Sequence, residues 1–216
     1  MTDWVQRWKN GEIGWHRNTP NTKLIKFIDC LELQVGDTVF VPLCGKSQDI
    51  AYFVKQGYQV IGVELSAFAI ESFFNEQEIE YSVQKTTEFD IYSADNIRIF
   101  CGDYFNLNSG HLSEVKAVYD RASLIALPAE LRLKYAQHLY VIIPKDCRIL
   151  LLTLNYPQTQ ISGPPFAVNK AEVESLFGKW FECQQLECFN DIENEPKYQR
   201  QNVDFIEKSA YCLKYK

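Results

Sequence analysis

The 216-residue sequence has no basic excess: 22 lysines and arginines stand against 28 aspartates and glutamates, a formal net charge of −6. A nucleic-acid surface normally needs a basic face, so this balance argues against one without forbidding a local patch. No apolar run approaches the length of a membrane span. Met1-Thr2-Asp3-Trp4 has neither a basic start nor an apolar stretch, so no signal peptide is expected. There is no CxxC, and the seven cysteines are odd in number and scattered. Cys183 and Cys188 lie five apart in a predicted strand and should face opposite ways. Reduced thiols in the cytoplasm are therefore expected. No cluster of His, Cys and carboxylate has ligand spacing, and no metal is expected. Repeats and low-complexity tracts are also missing.

The chain instead alternates apolar runs with helix-like stretches. Its length suits one domain over 1–216 with a substantial core. Asn21 can cap a helix that carries Leu24, Phe27, Ile28 and Leu31 on one face. Strands are predicted over 38–42, 59–64, 97–101, 117–119, 147–154, 180–189 and 203–215. Helices are predicted over 48–56 (ended by Gly57), after Ser66, over 128–140, and from an Asn169/Glu172 cap to Phe177. Residues 78–96 are polar and should form a hairpin or extended insert. Residues 156–168 read as a loop with Gly163-Pro164-Pro165-Phe166 at its tip, either a lid or a proline-rich surface turn. The alternation predicts an α/β domain: a mostly parallel seven-stranded sheet, helices on both faces, right-handed crossovers and a closing antiparallel C-terminal hairpin.

Ligands of open α/β sheets bind beyond the carboxyl ends of the strands. Those ends carry Leu43-Cys44-Gly45, Glu64, Gly102-Asp103 and Asp120-Arg121. A phosphate-binding P-loop would need glycine at Phe40, because Gly45-Lys46-Ser47 supplies only the motif's ending. A GxGxxG dinucleotide turn is not present either, so a pyrophosphate would find few bare amides. S-Adenosylmethionine has a ribose and an adenine but no phosphate, and it suits this turn. Glu64 would accept from the ribose hydroxyls, Asp103 and Tyr104 would face the adenine, and Asp120 and Arg121 would lie near the methionine end.

The first twenty residues hold Trp4, Trp8 and Trp15, three of the four tryptophans, among Arg7, His16 and Arg17. A helix would stack Trp4 and Trp8 on one side, either as a packing helix or as an aromatic cover over a pocket. Together with Val41-Pro42-Leu43-Cys44-Gly45-Lys46-Ser47, Val60-Ile61-Gly62-Val63-Glu64, Cys101-Gly102-Asp103-Tyr104-Phe105 and Tyr119-Asp120-Arg121-Ala122, this segment resembles the thiopurine S-methyltransferase family over essentially the whole chain. The resemblance implies the Rossmann-like class I methyltransferase fold, S-adenosyl-L-methionine as cofactor, and cofactor contacts at Trp8, Leu43, Glu64, Asp103, Tyr104 and Arg121; Gly45 joins them as the turn glycine that lets backbone approach the ligand. It places Trp15 at the border of the acceptor pocket, with His16 and Phe166 as further pocket candidates. A basic residue near the acceptor corresponds to Lys197 or Arg200.

The implied reaction is in-line attack of a sulfur or selenium anion on a sulfonium methyl group, favoured by alignment and exclusion of water. Trp8 and Trp15 could exclude water, and an aromatic face attracts a cation by roughly 0.5–2 kcal/mol. No residue stands out as a general base, and a lone histidine such as His16 is more often a packing or surface residue than an acceptor contact. Arg121 and Asp120 are the candidates beside the reacting groups; Arg121 could instead pair structurally with Asp120 or Glu64. A monomer acting on a small thiol, selenium or tellurium acceptor is expected. Halide or thiocyanate methyl transfer, RNA or protein methylation, and non-catalytic nucleoside binding remain alternatives.

Overall fold

The structure is a computed structural model. It describes residues 3–14 and 16–216; Met1, Thr2 and Trp15 lie outside the described residues. The elements, in order, are α1 (Trp4–Lys9), α2 (Thr22–Phe27), β1 (Thr38–Val41), α3 (Gln48–Lys55), β2 (Gln59–Glu64), α4 (Ala67–Glu76), β3 (Ser82–Lys85), β4 (Asp90–Ala94), β5 (Ile97–Cys101), β6 (Val115–Arg121), α5 (Ala129–Ile142), β7 (Arg148–Asn155), α6 (Lys170–Phe177), β8 (Phe181–Asn190), α7 (Pro196–Gln199) and β9 (Glu207–Tyr215). No helix among the described residues is long and apolar enough to cross a membrane.

The strands form one sheet in the order β3-β4-β5-β2-β1-β6-β7-β9-β8. The expectation of seven strands, mostly parallel, is corrected to a mixed sheet of nine. The two additional strands come from the 78–96 insert, which folds as a hairpin and joins antiparallel to β5. The pairs joining β5, β2, β1, β6 and β7 are parallel. The pairs joining β7, β9 and β8 are antiparallel, giving the expected closing hairpin. One helical turn, α7, with Pro196 in its first turn, interrupts the link between the last two strands, where no helix was expected.

Side-chain alternation on the central strands builds two cores. Val39, Val41 and Val60 pack with Leu24, Ile50, Phe53, Ile70 and Phe73 on the side of α2, α3 and α4. Phe40, Ile61 and Val63 pack with Tyr135, Leu139, Val173 and Phe177 on the side of α5 and α6. Polar caps set the helix starts: Asn21 accepts from Lys23 N, Ser66 from Ala69 N and Asn169 from Glu172 N. Gly57, at φ +88°, provides the left-handed turn after α3.

Strand β6 runs beyond the expected 117–119, because its two charged end residues still pair with Leu151 and Leu152 of β7. In β8 a bulge falls between Gln185 and Glu187. It corrects the reading of Cys183 and Cys188: their partners Leu213 and Ser209 lie on one face of β9, so both thiols share a face. All seven cysteines are free thiols.

Order β5-β2-β1 on one side and β6-β7 on the other puts the switch in chain direction between β1 and β6. A ligand crevice belongs at the carboxyl ends of those strands.

Candidate active site

The turn after β1 is set by two left-handed residues, Leu43 at φ 44° and Gly45 at φ 53°. Cys44 N donates to Val63 O at 3.0 Å, which ties the turn to β2. Gly45 N donates to Glu64 Oε2 at 2.9 Å. Trp8, 5% exposed, seats its indole on this turn: a Cβ at Gly45 would lie 2.7 Å from Trp8 Cζ2. Glycine is therefore required twice over, by backbone conformation and by the indole.

Glu64 ends β2 and is 6% exposed. Its second oxygen, Oε1, accepts from Ser66 N at 2.9 Å, so the carboxylate bridges the glycine turn and the start of α4. Burial pushes its pKa up, while the amides of Ser66, Gly45 and Leu65 pull it down. A carboxylate offers about four lone-pair sites, so acceptor capacity remains beyond the amides it already holds.

At the end of β5, Asp103 stands exposed, with Oδ1 accepting from Phe105 N at 2.9 Å. The Tyr104 ring is turned inward: it stacks on Tyr135 at 4.8 Å and its hydroxyl donates to Tyr135 O. Only its backbone is left at the rim. Asp120 is also turned inward, with Oδ2 accepting from Tyr135 Oη at 2.6 Å and Oδ1 from Leu124 N at 3.3 Å. Burial raises its pKa against those bonds. Arg121 pairs with neither Asp120 nor Glu64 among the ion pairs of the described residues; its Nη1 lies 3.6 Å from Asp49 Oδ2.

The N-terminal segment crosses this rim. Asp3 caps α1 through Gln6 N, and Arg7 lies 5.3 Å over the Trp4 ring. His16 lies near Lys46, Glu76, Arg121 and Asn18. Burial chiefly, then the charge of Lys46 and that of Arg121, holds its pKa below the ordinary value, against Glu76 and a hydrogen bond donated to the Asn18 side chain. Lys46 is paired with Glu76. Trp15, expected at the acceptor border, lies outside the described residues.

The 156–168 loop is pinned along its length. Phe166 N donates to Ile125 O at 2.7 Å, Tyr156 Oη to Pro165 O at 2.6 Å, and Ala167 N to the Gln158 side chain at 2.7 Å. Arg132, on α5, donates to Leu127 O and Ala167 O and pairs with the Glu172 side chain, while the Glu172 N–H stays in the cap at Asn169. The guanidinium also lies 5.7 Å from the Phe166 ring. Lys197 and Arg200 are both exposed: Lys197 lies 5.6 Å from the Tyr198 ring and Arg200 Nε donates to Pro196 O. The Glu195 carboxylate, 3.9 Å from Arg17, brings their segment beside the N-terminal one.

A model of the family described as thiopurine S-methyltransferase matches residues 1–216. The chain belongs to that family. A relative from Nitrosospira multiformis named thiopurine S-methyltransferase is 44% identical over 210 residues, covering 97% of this chain and 96% of that protein. One of the same name from Azotobacter vinelandii is 40% identical over 210 residues, with 97% and 96% covered. A solved S-adenosylmethionine-dependent methyltransferase from Anabaena variabilis has a TM-score of 0.63 at 16% identity, covering 99% of this chain and 93% of that chain. A Haemonchus contortus N-methyltransferase solved with S-adenosylhomocysteine has a TM-score of 0.67 at 12% identity, covering 93% of this chain and 55% of that chain. These two solved chains show the class I methyltransferase fold.

The protein is a methyltransferase, and S-adenosyl-L-methionine is its cofactor. The residues fit that group: a buried carboxylate with acceptor capacity ends β2, beside a side-chain-free cradle at Gly45 roofed by an indole. Gly45→Ala is expected to cost about 1–2 kcal/mol in backbone strain and to lift Trp8 from the turn. Its melting temperature should fall and its affinity for S-adenosylhomocysteine should drop severalfold by calorimetry. Wild-type affinity in the folded variant would contradict the cradle.

Three residues central to the arrangement escape a reading of the sequence. Asp49 looks like an ordinary acid in a first helical turn, Arg132 like a solvated arginine of a surface helix, and Tyr135 like part of an apolar stripe. A signal exists only for Tyr135, whose helical spacing places it on the core side of α5.

Proposed function

We propose that the chain methylates small aromatic or heterocyclic thiols on sulfur, with the acceptor entering as a thiolate. The observation carrying this reading is the family match over residues 1–216. At the rim, Arg121 and Lys46 lie near a half-buried His16, each beside an acid, Asp49 and Glu76 respectively, and the two cations offer an incoming anion a counter-charge. When bound, the cofactor supplies an electrophilic sulfonium methyl group. Glu64 accepts hydrogen bonds from the ribose hydroxyls, and Leu43, Gly45, Asp103 and the backbone of Tyr104 line the rest of the nucleoside site. Trp8 excludes water from the turn. Arg121 faces the acceptor sulfur and steadies its charge. His16 and Phe166 border the acceptor, the family resemblance adds Trp15 to the same pocket, and one of Lys197 and Arg200 closes its outer side. The pinned 156–168 loop serves as a fixed wall.

Burial and the neighbouring cations hold the His16 pKa down and so make it a weaker base, and the thiol is ionised in solvent rather than by the protein. Aromatic thiols already lose their proton near neutrality. The pH at which kcat/KM reaches its plateau should therefore move with the thiol pKa across an acceptor series. A profile that stays fixed as the acceptor changes would point to a protein base instead.

The deciding experiment incubates purified protein and labelled methyl donor with 6-mercaptopurine, other thiols, selenite, tellurite and iodide. Methylation of the heterocyclic thiols with little turnover of iodide is expected. Binding of S-adenosylhomocysteine without turnover of any acceptor would identify a nucleoside-binding protein. Seven free thiols also suit a reducing compartment, which supports a cytoplasmic location.

A further inference from the structure

We propose that Asp49 is a positioning residue that fixes Arg121 for the acceptor and joins it to the N-terminal cover. Asp49 lies in the first turn of α3 and is 1% exposed. Its Oδ1 accepts from the backbone N–H of Asn21 at 2.7 Å. Its Oδ2 accepts from Tyr119 Oη at 3.1 Å and faces Arg121 Nη1 at 3.6 Å. One buried carboxylate thus gathers the residue where the N-terminal segment enters α2, the middle of β6 and the end of β6.

The arrangement has two physical consequences. Arg121 has a long, rotamer-rich side chain that is 20% exposed, and a charged partner behind it restricts the directions in which the guanidinium can point. The same carboxylate holds the chain just after the segment carrying His16, so cover and cation share one anchor. Tyr119, itself fully buried, adds a bond to Oδ2 without adding charge. Asp120 is turned inward, toward Tyr135 Oη and Leu124 N, and it is Asp49 that faces Arg121 Nη1.

The inference rests on the reading of Arg121 as the acceptor-facing cation, and a double-mutant cycle separates the two. Asp49→Asn preserves shape and removes charge; Asp49→Glu preserves charge and crowds a packed site. If Asp49 acts through Arg121, Asp49→Asn lowers kcat/KM for the thiol about tenfold in the wild-type background but by less than about twofold in Arg121→Ala. S-Adenosylhomocysteine affinity, measured by calorimetry, stays within about twofold of wild type in Asp49→Asn. Asp49→Glu then keeps more kcat/KM than Asp49→Asn even if it melts lower; a packing role predicts the reverse order. Asp49→Glu measured in both backgrounds carries the same test should the Asn variant not fold. Additive losses, or a parallel loss of S-adenosylhomocysteine affinity, overturn the inference while leaving Arg121 in place. Wild-type kcat/KM in Arg121→Ala alone overturns the reading of Arg121 itself.

Discussion

Replacing Glu64 by alanine is expected to weaken S-adenosylhomocysteine binding by about 1–3 kcal/mol, the scale of lost charge-assisted hydrogen bonds. A second loss accompanies it, because the carboxylate already serves the protein. The amides of Gly45 and Ser66 donate to its two oxygens. Without an acceptor, each buried N–H costs about 1–3 kcal/mol unless water reaches it. The melting temperature should therefore drop together with affinity. Glu64→Gln should fall between: its carbonyl keeps one amide bond, while its NH2 group turns a donor toward the other amide. Calorimetric titration with S-adenosylhomocysteine and a melting curve measure the two losses separately. A folded Glu64→Ala variant with unchanged affinity would refute the ribose assignment.

The pH dependence of binding follows from the same environment. Burial holds the Glu64 pKa above the ordinary glutamate value. Hydroxyl donors bind the ionised form, so affinity should fall as pH drops through that raised pKa and level off above it. Glu64→Gln should remove the dependence. Stability of the free protein has the opposite sense. The folded state holds this proton more tightly than the unfolded chain, so the Glu64 contribution is largest below the unfolded pKa and shrinks as pH rises through the folded one.

Much of this site was legible because its determinants are local. Gly45, Glu64, Ser66 and Asp103 sit at strand ends, where an apolar run stops and a turn residue follows. Nothing comparable exposes Asp49, whose partners stand 28 and 70 residues away along the chain. The length of β6 was misread for a related reason. Charged residues end an apolar pattern, yet Asp120 stays in the ladder because Tyr135 and Leu124 satisfy it. The sides of Cys183 and Cys188 turned on a single extra residue in β8, and a bulge leaves no reliable trace in composition. The insert hairpin lacks an apolar face on β3, all four of whose residues are exposed, so only its pairing with β4 makes it a strand.

Arg132→Ala is expected to destabilise the protein by about 3 kcal/mol, as for a buried ion pair stripped of one member. The guanidinium is 4% exposed, and its partners come from three separate segments: Leu127 O before α5, Ala167 O in the loop, and the Glu172 carboxylate in α6. Glu172 is 30% exposed, so solvent recovers part of its loss, whereas the two carbonyls have less access to water. For a chain of this size, about 3 kcal/mol corresponds to roughly 6–12 °C in melting temperature. The kinetic consequence should be confined to the acceptor. Phe166 is held to Ile125 by its backbone amide, and Leu124 beside it is held by Asp120, so loosening the loop disturbs the wall assigned to the acceptor and spares Glu64 and Gly45. We expect a raised KM for the thiol with near wild-type affinity for S-adenosylhomocysteine. Arg132→Lys should rescue little, because one ammonium cannot reproduce the planar fork that reaches all three acceptors. A melting temperature unchanged by Arg132→Ala would show that the loop is held by its own hydrogen bonds. Equal losses for thiol and S-adenosylhomocysteine would remove the 163–168 segment from the acceptor side.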